Sequence, residues 1–265
     1  DISYLLENSN RVRAILITHG HEDHTGALPY VLPRLNVPVY APRLAHGLIS
    51  VKLRQHRLLQ HTRLEEIEPG VPIQLGQFRV EFFRVCHSIP DSMGIVLDTP
   101  LGKVIHTGDF KIDHTPTDGV PTDLGLLARL SDGGVLLLLS DSTYAELQGY
   151  TLSEQVVGEA LDRIVATAQG RVIVTTFASL ISRIQQVLDA AVSSNRHVCI
   201  VGRSMVDNVN MSMRMGYLYA PDGMLVSVDE ARKLAPEQVV LITTGSQGEP
   251  TSALARIANQ DHRDI

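Results

Sequence analysis

The chain has 265 residues, of which 44% are hydrophobic and 20% are charged, and its formal net charge is −6. This composition is typical of a globular protein with a substantial core, and the longest wholly apolar run, residues 135–139, is far too short to cross a membrane. The negative charge argues against a generally basic nucleic-acid-binding coat, although it leaves room for a local positive groove or for bound metal ions.

Two features at the level of the whole chain bear on its origin. The first six residues include neither an initiator Met nor the basic segment of a signal peptide, and residues 256–262 look like an element cut short, so we expect a fragment of a longer protein.

Cys86 and Cys199 are too few for a disulfide framework, and each follows apolar residues. We expect both to be buried, reduced thiols, which suits a cytoplasmic protein.

The first predicted elements lead into a loop rich in histidine. A short amphipathic helix over residues 2–9 precedes a strand over 13–18, and the loop after this strand runs into a helix that begins near Gly26. The next strand contains Pro38, which favours an edge position, and a helix starts near Pro42. The sequence thus predicts alternating strands and helices around the histidine loop.

Further predicted strands also end at polar side chains. A strand that starts at Phe78 runs into His87, and a hairpin over residues 94–107 runs into Asp109. The apolar run 135–139 is typical of a buried central strand, and Asp141 follows it. Four separate strand ends therefore carry a candidate functional residue.

From Ser153 onward the pattern changes to short apolar strands that alternate with helices, which is typical of a parallel sheet covered on both faces. We therefore place a domain boundary near residue 150, with one domain over 1–150 and a second over 151–265. The predicted elements of the second are helices at 153–168, 179–194, 204–216 and from about 249, and strands at 171–175, 197–201 and 238–242.

The histidine loop carries the strongest chemical signal. Residues 19–24 contain three histidines and two carboxylates directly after a strand, and imidazole with carboxylate suits zinc or a similar divalent ion. A polar loop that happens to be rich in histidine is the plainer alternative. His87 and Asp109 at later strand ends favour a two-metal site.

At this point the chain resembles the metallo-β-lactamase superfamily and, within it, the β-CASP nucleases of the ribonuclease J family. The metal motif by itself indicates only the superfamily, and the later segments indicate ribonuclease J. The segments that carry the resemblance are THGHEDHTGALPY (residues 18–30), CHSIPDS (86–92), HTGDFKID (106–113), SDSTYAE (140–146), TFAS (176–179) and TGSQGEP (244–250).

The resemblance implies a set of metal ligands and catalytic residues. One zinc would be held by His19, His21 and His87. The second would be held by Asp23 and His24, with Asp109 bridging the two ions. Asp141 matches an acidic motif that supports a histidine near the scissile phosphate, and we assign catalysis to Asp23, Asp109 and Asp141. Glu22 falls between ligands, and we expect it at the surface or beside a ligand.

Residues 177–179 are a candidate RNA contact, because they lie where a strand passes into a helix. Ser179 can cap that helix, and the exposed backbone N–H groups there can receive a phosphate. In the resembled family this segment contacts RNA, with Phe177 offering a ring for base stacking, and Ala178 lies between the two. The plainer alternative is a capped helix start with no ligand.

The resemblance implies an α/β protein: a partial metallo-β-lactamase αββα sandwich with an inserted β-CASP domain built on a parallel sheet. It implies a ribonuclease with two Zn²⁺ ions, acting as endonuclease and 5′–3′ exonuclease in RNA maturation and decay. RNA is the expected partner, together with identical or related subunits. Two alternatives stay open. One is another hydrolase of the superfamily, such as a thioesterase or lactonase, and the other is a non-catalytic RNA-binding paralogue.

Overall fold

Helices and strands alternate along the computed structural model, which describes residues 2–262 of the chain. The helices are α1 (Ser3–Glu7), α2 (Glu22–Thr25), α3 (Leu28–Val31), α4 (Arg43–Gln55), α5 (Leu124–Leu130), α6 (Glu154–Thr167), α7 (Ile181–Ser193), α8 (Arg203–Met215), α9 (Val228–Ala231) and α10 (Ala253–Ala258). The strands are β1 (Ile15–Leu16), β2 (Val39–Pro42), β3 (Leu64–Ile67), β4 (Ile73–Leu75), β5 (Phe78–Arg84), β6 (Met93–Thr99), β7 (Gly102–His106), β8 (Leu137–Leu139), β9 (Val172–Thr175), β10 (His197–Ile200) and β11 (Val239–Thr243).

The chain divides into two compact units between Leu152 and Ser153. Among the residues described, no helix combines the length and the apolar character that crossing a bilayer requires.

Two sheets make up the first unit. Strands β1, β2 and β3 are parallel and lie in that order. The second sheet has the order β4-β5-β6-β7-β8, in which β4 to β7 are antiparallel neighbours and β8 runs parallel to β7. The expected hairpin is confirmed, since Ile95 pairs with His106 at the end of the β6–β7 ladder.

The two sheets pack face to face and carry helices on their outer faces. The cluster between them contains Phe82 of β5 and Ile67 of β3. Ile49 of α4 packs outside the parallel sheet, and Leu130 of α5 packs with Phe83 outside the mixed sheet. Phe82 and Phe83 serve opposite faces because successive side chains of a strand alternate. This order of layers confirms the αββα architecture.

Two expectations about strands in this unit are wrong. Residues 135–139 do not form a buried central strand: β8 is the last strand of its sheet, and the exposed fraction of Leu138 is 57%. The cluster under α5 involves β5, β6 and β7 and leaves β8 outside it. Strand β2 lies between β1 and β3 rather than at an edge. Pro38 fits there because it precedes the strand and its carbonyl accepts the N–H of Ile15.

The second unit has the parallel sheet that the sequence predicts, in the order β10-β11-β9. Strand β11 is wholly buried at the centre. Ala231 of α9 and Ala253 of α10 pack against one face of the sheet, and α7 packs against β10 and α6. The helices and strands lie within a few residues of their predicted bounds, because strongly apolar strands and amphipathic helices leave clear periodicities in a sequence.

Candidate metal centre and nucleic-acid contact

The histidine loop is anchored on both sides by backbone hydrogen bonds. Ile17 donates its N–H to the carbonyl of Tyr40 in β2, and the carbonyl of Thr18 accepts the N–H of Met93 in β6. The loop therefore begins where the two sheets meet. His21 then precedes α2, so Asp23 and His24 lie on this helical turn. This local fold directs side chains only two to five residues apart toward one point.

Three histidines bring their ring nitrogens together. Nε2 of His19 and Nε2 of His87 each lie 3.1 Å from Nδ1 of His21. His87 follows β5, 66 residues after His21. One atom from each ring lies close enough to the others for the group to hold a metal ion. The structure thus brings together the three residues that the resemblance assigned to one zinc.

A second group contains His19, His24 and Asp109. Oδ2 of Asp109 lies 3.2 Å from Nε2 of His24 and 3.8 Å from Nε2 of both His19 and His87. Asp109 therefore lies beside both groups, the position that a bridging carboxylate requires. His19 belongs to both groups as well, and its exposed fraction is only 1%.

The two remaining carboxylates of the loop lie at its exposed side. Oδ2 of Asp23 is 3.5 Å from Nε2 of His24, and the Asp23 side chain is 78% exposed. Asp23 thus lies next to the second group without entering the converged set. Glu22 forms an ion pair with Lys52 of α4, in keeping with the expectation that it lies at the surface.

The rings of His19, His21 and His87 are held neutral. Burial lowers the pKa of His19 to about 2 and the pKa of His21 to about 4, and neighbouring imidazoles add to both shifts. Burial also lowers the pKa of His87. A neutral imidazole offers a lone pair, whereas a protonated one repels a cation. Four histidines with one carboxylate are a donor set suited to zinc or a similar divalent ion.

Asp141 lies beside this cluster at the end of β8. Its Oδ1 accepts the N–H of Thr143 at 2.8 Å, and its Oδ2 accepts the N–H of Phe110 at 3.4 Å. Burial acts to raise the pKa of the Asp141 carboxyl, but these hydrogen bonds outweigh it and the pKa lies below its usual value. Asp141 is therefore a carboxylate anchored to the residue that follows Asp109.

Sequence reasoning missed the hydroxyl groups that support the rings. Thr18 Oγ1 hydrogen-bonds Nδ1 of His19 at 3.0 Å, and both side chains are buried. Ser88 Oγ lies 3.5 Å from Nε2 of His21. The one available signal was that each hydroxyl residue is adjacent to a histidine. Such a signal is weak, because serine and threonine are common in loops.

The candidate RNA contact follows β9. The exposed fraction of Phe177 is 45%, whereas Ser179 is buried, and the carbonyl of Ala178 accepts a hydrogen bond from Asn208 of α8. The expectation that Ser179 caps the next helix is wrong. Helix α7 begins at Ile181, and Leu180 occupies its N-cap without a side-chain hydrogen bond. The exposed Phe177 ring remains available for stacking.

Comparisons with known proteins agree with the fold. Residues 2–177 match the family model described as "Beta-lactamase superfamily domain". A crystal structure titled as a protein of unknown function from Enterococcus faecalis V583 is similar in fold, with a TM-score of 0.62 and 14% sequence identity. The similarity covers 88% of this chain and 59% of that one.

The second half has a more specific match, since residues 169–265 match "Ribonuclease J, beta-CASP domain". The whole chain is 47% identical to Ribonuclease J of Corynebacterium glutamicum, 45% identical to that of Synechocystis sp. and 45% identical to Ribonuclease J 1 of Streptococcus pyogenes. It spans 37%, 42% and 47% of their respective lengths. The chain therefore belongs to the β-lactamase superfamily, and its residues 169–265 are similar to the ribonuclease J β-CASP domain.

Proposed function

We propose that the chain forms part of a zinc-dependent ribonuclease that hydrolyses RNA phosphodiester bonds as an endonuclease and a 5′–3′ exonuclease, in RNA maturation and decay. The observation that carries this proposal is the position of Asp109, whose Oδ2 lies within 3.8 Å of ring nitrogens from both groups of histidines. We assign residues 1–150 to the metallo-β-lactamase domain and 151–265 to the β-CASP domain.

The residues divide into three roles. His19, His21 and His87 would hold one ion, and His24 with Asp23 would hold the second. Asp109 would bridge them. Two zinc ions would supply Lewis acidity for the phosphodiester and lower the pKa of the attacking water. The neutral state of the buried rings supports this assignment, because no proton has to leave them before they ligate.

Asp141 and residues 177–179 would help to position the RNA substrate. The Asp141 carboxylate is kept ionised by the N–H groups that it accepts, so it can orient a cationic or proton-donating partner near the scissile phosphate. Phe177 would stack on a base, a contact that tolerates any sequence because every base has an aromatic face. Ala178 and Ser179 would contribute backbone groups beside it.

The proposal includes the cellular location and the protein partners of the enzyme. Cys86 and Cys199 are buried, free thiols, which supports a reducing cytoplasmic location. Identical or related subunits are the proposed protein partners, as the family resemblance implies.

The decisive experiment compares the full-length protein with its Asp109→Ala variant. We expect the wild type to bind two divalent ions and to cleave RNA. The variant should lose metal and more than about 100-fold in cleavage rate, since even outer-shell changes cost 10- to 100-fold in affinity or activity. Metal content by mass spectrometry and cleavage of 5′-monophosphorylated against 5′-triphosphorylated RNA are the measurements.

Asp162→Ala is the matched control, because Asp162 is an exposed carboxylate on α6, and it should leave both readouts unchanged. Full metal content and full activity in Asp109→Ala would refute the two-metal proposal. A wild-type protein that binds metal and cleaves thioesters or lactones but not RNA would favour another hydrolase. Metal-free, inactive wild type that still binds RNA would favour the non-catalytic paralogue.

A further inference from the structure

The turn that carries Asp109 lies where β7 and β8 end side by side. The two strands are parallel, with His106 opposite Leu139 as the last pair of the ladder. One residue further, Thr107 donates its N–H to the carbonyl of Leu139 at 3.0 Å. Thr107 and Asp141 are therefore neighbours at the ends of adjacent strands, immediately before the metal centre.

The Thr107 hydroxyl joins these two strand ends. It donates to the carbonyl of Gly108 at 2.7 Å and accepts the N–H of Asp141 at 3.0 Å. A hydroxyl has one donor and two acceptor sites, so one small group can serve both chains at once. Thr107 is buried, and losing the hydroxyl would leave a partly buried N–H without this acceptor.

Gly108 itself is fixed from the opposite side. Its φ of +62° lies in the left-handed region, its N–H donates to Nδ1 of His106 at 3.0 Å, and an added Cβ would lie 2.9 Å from the carbonyl oxygen of Met93. The backbone at Gly108 therefore has little conformational freedom. The hydrogen bonds of the Thr107 hydroxyl restrict the turn further. Beyond Asp109, the N–H of Phe110 is bonded to Asp141, so Asp109 is tied to Asp141 on both sides.

We propose that Thr107 is a positioning residue that locks the backbone of Asp141 to the turn carrying Asp109. Through these hydrogen bonds the carboxylates of Asp109 and Asp141 keep a fixed separation. The inference rests on the proposed metal site. It predicts that the hydroxyl of Thr107, which contacts none of the converged donor atoms, controls how tightly that site holds its ions.

The test is Thr107→Val in the full-length protein, because valine keeps the shape of threonine and removes both hydrogen bonds. Zn²⁺ affinity is measured by chelator competition, and ligand geometry by the visible absorption spectrum of the Co²⁺-substituted protein. We expect Zn²⁺ affinity to fall about 10- to 100-fold, the usual effect of losing an outer-shell partner, with an altered Co²⁺ spectrum. Thr107→Ser should restore both, because serine retains the hydroxyl.

Wild-type affinity and spectrum in Thr107→Val would overturn the inference. So would an equal loss in Thr107→Ser, because a variant that retains the hydroxyl would then bind Zn²⁺ no better than one that lacks it. Should Thr107→Val fail to fold, the comparison of Thr107→Ser with Thr107→Ala isolates the same hydroxyl, and equal Zn²⁺ affinities in that pair would also refute the lock. A wild-type protein that binds no divalent ion would instead refute the proposed function.

Discussion

His19 is the residue on which the candidate site most depends. It belongs to both donor groups and is almost wholly buried. Its Nε2 points at the cluster, while its Nδ1 bonds to the Thr18 hydroxyl. The hydrogen bond on one ring nitrogen decides which nitrogen keeps a free lone pair. Thr18 is therefore expected to hold His19 in its ligating form.

A change at Thr18 tests this directly. Thr18→Val removes the hydroxyl with little change of shape, and we expect Zn²⁺ affinity to fall about 10-fold, at the lower end of outer-shell effects. Isothermal titration with Zn²⁺ measures it, with Thr18→Ser as the matched control. Unchanged affinity in the valine variant would mean that packing alone orients the His19 ring.

The neutral histidines also predict how the metal-free protein responds to pH. Histidine titrates near 6.5 when unfolded, whereas burial lowers the pKa of His21 to about 4 and that of His19 to about 2. Between pH 6.5 and these folded values, the unfolded chain takes up protons that the folded chain does not. The stability contribution is therefore complete above pH 6.5 and is lost as the pH falls from 6.5 toward these folded values.

Urea unfolding in the presence of a chelator checks this pH dependence. The free energy of unfolding should decrease by about 1.4 kcal/mol per pH unit for each such histidine. His21→Asn should show a shallower decrease below pH 6.5, because one fewer ring takes up a proton on unfolding. Equal slopes in the variant and the wild type would contradict the assignment.

At the scale of elements, β6 supports the histidine loop through a backbone hydrogen bond. Met93 at its start bonds to Thr18, and Gly94 lies opposite Phe83 of β5. An added Cβ at Gly94 would lie well inside contact distance of the Phe83 ring, which is only 1% exposed. Glycine is therefore needed in this strand for packing.

Gly94→Ala should consequently destabilise the protein by about 1–3 kcal/mol, as overpacking of a core usually does. Thermal and urea unfolding measure the change. Gly170→Ala is the control, because a Cβ there meets nothing within 4 Å and the residue has no positive φ. If both variants were equally stable, the close approach of β5 and β6 would be wrong.

Strand β8 illustrates where local pattern misleads. Its continuous apolar residues are typical of a strand buried on both faces, yet β8 is an edge strand with exposed leucines. The hydrophobicity of a segment indicates that it could be buried. Whether it is buried depends on which elements pack beside it. The order of strands in a sheet is a long-range property that periodicity does not contain.

At the scale of the whole molecule, the two units are joined by a stretch without regular structure. Residues 142–152 are all exposed and contain no helix or strand. Such exposed segments are the preferred sites of proteolysis. The boundary that we propose near residue 150 can therefore be tested on the native protein.

Limited digestion with chymotrypsin should cut first within residues 142–152, since Tyr144, Leu147 and Tyr150 are exposed there by 74%, 66% and 88%. Mass spectrometry of the early fragments identifies the cut. Trypsin serves as the control, because this stretch contains no Lys or Arg and should survive the same conditions. Early chymotryptic cuts inside β5 or α7 would contradict the boundary.

The sequence by itself predicted the parallel sheet of the second unit and a candidate set of metal donors, whereas the αββα architecture of the first unit was implied by the resemblance. Apolar strands and amphipathic helices leave local periodicities in the sequence. Candidate ligands can be recognised because histidine and aspartate follow predicted strands directly. The resemblance implied a position for Asp109 between the two ions, but only the tertiary structure shows that its carboxylate, 85 residues after His24, lies within 3.8 Å of ring nitrogens in both groups of histidines. Tertiary structure also decided that the Thr18 and Thr107 hydroxyls support that arrangement, that Ser179 caps no helix and that β8 is exposed. Each of these features depends on which strand ends lie close together. Packing between residues far apart in the sequence decides which ends those are.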